Sequence, residues 1–142
     1  MKKRSDIAAE TFNNGFNCAQ AVLSAFCDEL SMDKTEALKI SCGFGGGMGR
    51  LQETCGAVTG AYMVISLKYG KYSEEDDAAR EKTYALVREF SKRFEEKHKT
   101  TSCRELLDVD FINGDKQVNM ARVKEVCHEL VRSAVEIVEE LI

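Results

Sequence analysis

Apolar side chains recur along most of this chain at intervals of three and four residues, and no strand-length run alternates apolar with polar. That spacing gathers them on one face of an α-helix. The pattern is cleanest near the end, where Met120, Val123, Cys127, Leu130, Ala134, Ile137 and Leu141 step by three, four, three, four, three and four. A helix over 117–141 therefore presents a seam to a partner helix. A second stripe, Ala79, Leu86, Val87, Phe90 and Phe94, predicts a long charged helix over 74–98 with Ser73 as its N-cap. Leu23, Phe26, Cys27 and Leu30 share one face of a helix over 17–30. Asp33 and Glu36 follow the capping-box pattern and open a helix ending near Cys42, and Ser102 with Glu105 opens a short one through Leu107. A short helix over 6–12 breaks at Asn13-Asn14-Gly15, another over 53–69 stops at Gly70, and Asn113-Gly114-Asp115 marks a turn. The expected fold is all-α: one domain over 1–142, a bundle of about four main helices with shorter ones added.

Composition agrees with this picture. The 142 residues include no proline, which suits long uninterrupted helices. Hydrophobic residues at 44% and charged residues at 31% fit a globular chain with one sizeable core. Twenty basic against 24 acidic residues leave a net charge of -4, no footprint for a nucleic-acid backbone. The apolar stretch over 57–67 is well short of the ~20 residues that span a bilayer. Met1-Lys2-Lys3-Arg4 is basic, but Ser5, Asp6 and Glu10 stand where a signal peptide needs apolar residues. The expectation is a cytoplasmic protein without a membrane span.

The chemistry lies in six cysteines, Cys18, Cys27, Cys42, Cys55, Cys103 and Cys127. They are too few for a disulfide scaffold, and in a reducing compartment such a number points to redox chemistry or metal ligation. Any one of them taken alone could equally be a small buried hydrophobe. Between Cys42 and Cys55 lies a loop with five glycines in seven residues, 43–49. It matches neither G-x-G-x-x-G nor the P-loop pattern and follows no strand, so it is no phosphate cradle of those types. It is either a flexible connector or a segment whose backbone N–H groups approach sulfur or a small bound group. Beyond it, Gly56 and Gly60 put small residues at i and i+4, a face on which another backbone can approach closely.

These residues carry a resemblance. Asn17-Cys18-Ala19-Gln20-Ala21-Val22, then the stretch from Cys42 through the glycines to Arg50, then Cys55-Gly56-Ala57-x-x-Gly60 and the single Cys103 and Cys127 resemble the C_GCAxxG_C_C family of redox-active proteins over nearly the whole chain. The label sets glycine before cysteine, whereas this chain reads Cys-Gly-Ala-x-x-Gly. The resemblance implies that Cys42, Cys55, Cys103 and Cys127 are the defining four, with Cys18 and Cys27 as extras, although Cys18 stands in a motif of its own. It implies redox activity and supplies no substrate or cofactor.

Helix position ranks the four. A thiolate is favoured at a helix N-terminus and disfavoured at a C-terminus or in apolar surroundings. Cys55 and Cys103 fall in predicted first turns, with Arg50 and Arg104 near, and are expected to have lowered pKa values and to supply the attacking sulfur. Cys42 at a helix end and Cys127 in the apolar seam are expected as their partners. The competing chemistry gives the same four thiolates to zinc or an iron–sulfur cluster. The long Cys42–Cys55 and Cys103–Cys127 separations lack C-x-x-C knuckles and weigh against a zinc ribbon. His98 reads as a solvated helix-end residue, His128 as a neighbour of Cys127 on another face, and Glu74-Glu75-Asp76-Asp77 as first-turn charge. Tyr62, Met63 and Tyr69 read as core or interface.

Three functions compete. The first is a thiol-based oxidoreductase without a resident cofactor, exchanging disulfides or electrons with a partner protein or small molecule. The second is a metal or iron–sulfur protein. The third is a helical interaction module with inert thiols, with a homodimer through a spare apolar helix face as one form of it.

Overall fold

The computed structural model describes residues 2–142, so Met1 of the basic start lies outside it. Among the described residues the chain forms eight helices and no strand. They are α1 (Arg4–Asn13), α2 (Cys18–Ser24), α3 (Cys27–Leu30), α4 (Lys34–Cys42), α5 (Gly56–Tyr69), α6 (Asp77–His98), α7 (Cys103–Leu107) and α8 (Lys116–Leu141). The all-α expectation holds.

The centre is α5, made from the longest apolar stretch of the chain. Ala57, Val58, Ala61, Val64 and Ile65 are fully buried, and α2, α6 and α8 pack around it. A helix apolar all round belongs in the middle of a bundle. The small face of α5 meets α2 as its spacing requires. A Cβ on Gly60 would stand 2.9 Å from the Ala19 carbonyl oxygen, and one on Gly56 would stand 3.0 Å from that of Phe44 and 3.1 Å from the Ala19 nitrogen. Hydrogen at these positions lets two backbones touch, and this contact sets the N-terminal ends of α2 and α5 side by side.

Along α8 the seam from Cys127 through Leu130, Ala134 and Ile137 is buried, while Met120 at its start is 54% exposed. Phe90 and Phe94 of α6 are fully buried, and Tyr62 of α5 meets Phe90 edge-on at 5.8 Å. Tyr69 donates its hydroxyl to the Ile142 carbonyl at 3.2 Å, tying the end of α5 to the end of α8.

Three boundaries differ from the sequence expectation. The helix over 17–30 is broken at Ala25–Phe26. There the Ala25 carbonyl accepts a hydrogen bond from the Arg4 guanidinium at 2.8 Å, and the same guanidinium lies 4.6 Å from the Phe26 ring centre. The long charged helix begins three residues after its expected start. Asp76 rather than Ser73 caps it, its carboxylate accepting the Ala79 N–H at 3.1 Å. The central helix begins at Gly56 rather than Glu53 because 52–54 are used to dock the segment before α7.

Candidate functional site

Five of the six cysteines, Cys18, Cys42, Cys55, Cys103 and Cys127, line one cavity of about 1030 Å³ at the N-terminal ends of α2, α5 and α7. Local sequence explains how each arrives there. Asn17 caps α2 in a full box: its side chain accepts the Gln20 N–H at 3.0 Å and the Gln20 side chain accepts the Asn17 N–H at 2.9 Å. Cys18 is thereby fixed as the first residue of α2. The box is tied outward as well, since the Asn17 amide donates to the Cys42 carbonyl at 2.9 Å and the Gln20 amide to that of Leu38 at 3.0 Å.

Cys55 and Cys103 are brought together by backbone pairing. Thr54 and Ser102 form an isolated antiparallel bridge. Cys55 N–H donates to the Thr101 carbonyl at 2.8 Å and Cys103 N–H to the Glu53 carbonyl at 2.7 Å. Residues one step either side of a bridged pair point to the same side of the ladder, so both cysteines face the cavity as caps or first residues of their helices. Cys127 comes from the middle of α8, where the three-and-four spacing turns it inward.

The glycine loop closes one wall in an unusual conformation. Gly46, Gly47, Met48, Gly49 and Arg50 are all left-handed, with φ of 64, 68, 67, 59 and 64°, and Gln52 follows at 59°. Successive left-handed residues are rare because each residue with a Cβ meets its own carbonyl, at roughly 1–2 kcal/mol apiece. The run is held at its far end by Gln52, a buried residue whose amide donates to the Val109 carbonyl at 2.6 Å and accepts the Phe111 N–H at 3.1 Å. Its purpose is close approach. A Cβ on Gly47 would fall 2.6 Å from the Cβ of Cys103, so this wall seats directly against a cavity thiol. The loop is thus not a slack connector.

Within the cavity the thiols interact unequally. Cys18 and Cys127 interact in the cavity, and the Cys127 thiol is held below its ordinary range by its neighbour Cys18 and by the charge of Arg122, against the effect of burial. Its neighbour Cys127 and burial push Cys18 well up. Burial pushes Cys55 up to about 12, and the N–H groups of Ala57 and Val58 only partly offset it. Burial likewise pushes Cys103 up to about 12 against the opposing charge of Arg104.

Two expectations about the thiols are therefore corrected. Cys55 and Cys103 are raised, not lowered, because loss of hydration outweighs the helix-start position and the neighbouring arginine. The lowered thiol is Cys127, expected only as a partner. Cys18, expected as an extra, belongs to the interacting set with Cys55, Cys103 and Cys127. Cys42 is exposed at the cavity's edge, and Cys27 is buried away from it. The cue to Cys18 was in the sequence: Asn17 and Gln20 around it form an N-cap pattern.

His98 is also corrected. It is half-buried, its Nε2 lies 2.8 Å from the Ser133 hydroxyl, its ring lies 4.6 Å from that of Phe94, and burial lowers its pKa. His128 does not line the cavity. For the metal alternative, among the described residues no three His, Cys, Asp or Glu side chains are arranged to hold an ion. Among these residues no helix is long and apolar enough to cross a membrane.

The all-α fold thus gathers five cysteines, four of them buried, around one cavity. The chain belongs to the C_GCAxxG_C_C family, whose model, described as "Putative redox-active protein (C_GCAxxG_C_C)", matches residues 16–141. No curated protein and no solved structure matches it.

Proposed function

We propose that the protein performs two-electron thiol–disulfide exchange in this cavity, with Cys127 as the attacking sulfur and Cys18 as its resolving partner. The observation that supports this most is that Cys18 and Cys127 line one cavity and interact there, with Cys127 shifted down and Cys18 shifted up. A thiolate is the nucleophile of disulfide exchange, and a protonated neighbour in contact with it is placed to finish the reaction.

The steps balance. The Cys127 thiolate attacks one sulfur of a substrate disulfide, forming a mixed disulfide and expelling the other half as a thiolate. That thiolate takes the proton of Cys18. The Cys18 sulfur then attacks Cys127, closing a Cys18–Cys127 disulfide and releasing the second half, which takes a proton from water. The substrate gains two electrons and the protein pair loses two; a dithiol donor, small or protein, returns them by the reverse exchange. Cys55 and Cys103, protonated at neutral pH, line the same space. Exposed Cys42 at the rim is where electrons can pass to a partner too large to enter. The sequence expectation of a catalytic set of Cys42, Cys55, Cys103 and Cys127 is thus retained with Cys18 added and the roles redistributed.

A stoichiometric assay tests the reading. Reduced protein mixed with hydroxyethyl disulfide should release two mercaptoethanol molecules per Cys18–Cys127 pair oxidised. The Cys18→Ser/Cys127→Ser variant should lose that fast phase. An unchanged yield in the variant would assign the chemistry elsewhere, and no yield from the folded wild type would remove it.

A further inference from the structure

The cavity carries more than sulfur. Arg50, Lys116 and Lys124 line it, and no aspartate or glutamate does. This runs against the chain as a whole, in which 24 acidic residues outnumber 20 basic ones. None of the three cations takes part in an ion pair among the described residues. All three are exposed at the rim, while the floor beneath them is apolar, with Leu107 and Leu130 buried beside the thiols. On the loop wall, the N–H groups of Gly45, Gly46 and Gly47 donate to no backbone carbonyl. A cleft with one sign of charge at its mouth and low-dielectric walls concentrates molecules of the opposite sign.

Resting on the thiol–disulfide reading above, we propose that the molecule which exchanges with this site is a small organic disulfide bearing carboxylates. The volume fits: about 1030 Å³ is at the upper end of cavities that enclose a small molecule, and far from what a folded protein would need. The charge fits the carboxylates, which meet the three cations while the disulfide reaches down to Cys127. Nothing further is consumed, because the exchange step is the one already balanced.

The test uses three disulfides of matched length and different charge: dithiodipropionate (anionic), hydroxyethyl disulfide (neutral) and cystamine (cationic). Each oxidises the reduced full-length protein under single-turnover conditions, and each rate is divided by that of free mercaptoethanol with the same disulfide to remove intrinsic reactivity. The expected order is dithiodipropionate, hydroxyethyl disulfide, cystamine, with about a tenfold or greater spread between the ends at low salt. That spread should shrink in molar salt and in Arg50→Gln/Lys116→Gln/Lys124→Gln, whose exposed side chains are not needed for folding. Equal normalised rates, or cystamine fastest, with the Cys18–Cys127 disulfide still forming, would overturn the substrate class and leave the redox reading standing. Failure of all three to oxidise the pair in folded protein would overturn the redox reading itself, and the substrate class with it.

Discussion

Replacing Cys18 by alanine removes the donor that lowers Cys127 and leaves most else in place. The Cys18 Cβ, which packs 3.3 Å from where a Cβ on Gly56 would stand, is retained in alanine. Burial continues to disfavour the Cys127 thiolate, now unopposed except by Arg122. A hydrogen bond to a charged group is worth about 1.5–3 kcal/mol, so the thiolate population at neutral pH should fall roughly ten- to a hundredfold. A more basic thiolate is intrinsically more nucleophilic, which on a logarithmic scale returns a little under half of that loss. Alkylation of Cys127 by iodoacetamide should therefore slow about 3- to 15-fold at pH 7, read from the Cys127 peptide by mass spectrometry. Its pH profile should move upward. Cys18→Ser restores a hydroxyl donor and should recover much of the rate. An alanine variant that alkylates at the wild-type rate would refute the pairing argument.

Other perturbations separate the parts of the account. Gly47→Ala drives a methyl group into the Cys103 side chain and forces a left-handed φ of 68° on alanine, so it should lose upward of about 2 kcal/mol in urea unfolding. Gly60→Ala sets two effects against each other: alanine favours the helix by about 1 kcal/mol, while a Cβ 2.9 Å from the Ala19 oxygen overpacks the α2–α5 contact by about 1–3 kcal/mol. Net destabilisation is expected, and a gain in urea midpoint would contradict the close-approach argument. His98 has a folded pKa below its unfolded value, so the unfolded chain binds the extra proton. Its contribution is full above the ordinary histidine range and is lost as pH falls through it. The drop in urea midpoint from pH 8 to pH 5 should shrink in His98→Asn.

The helices were legible in the sequence because their information is local: Asp33 and Ser102, read as caps, each accept the backbone N–H three residues on, and Asn17 and Asp115 do the same without having been read so. The close-approach face of α5 was legible too, since glycines at i and i+4 have few other uses on an apolar helix; that α2 is the backbone it meets was not. The break at Ala25 was not, because it depends on Arg4 arriving from α1 to take a freed carbonyl. The ranking of thiols failed for a related reason. Proximity of Cys55 and Cys103 to helix starts can be read along the chain, but the burial that overrides it is a property of the packed molecule. Cys18 shows the reverse case, a residue whose cap pattern placed it locally while only the fold brought α8 and Cys127 against it.

Disulfide mapping tests the shared-cavity claim most directly. Reduced, folded protein is treated with limiting diamide, which takes two electrons from a pair of thiols; the remaining thiols are alkylated and the digest is searched for crosslinked peptides. The Cys18–Cys127 link should appear first, and Cys27 should become alkylatable only after unfolding. Crosslinks confined to Cys42 between separate molecules, with Cys18 and Cys127 both recovered as free thiols, would contradict the account.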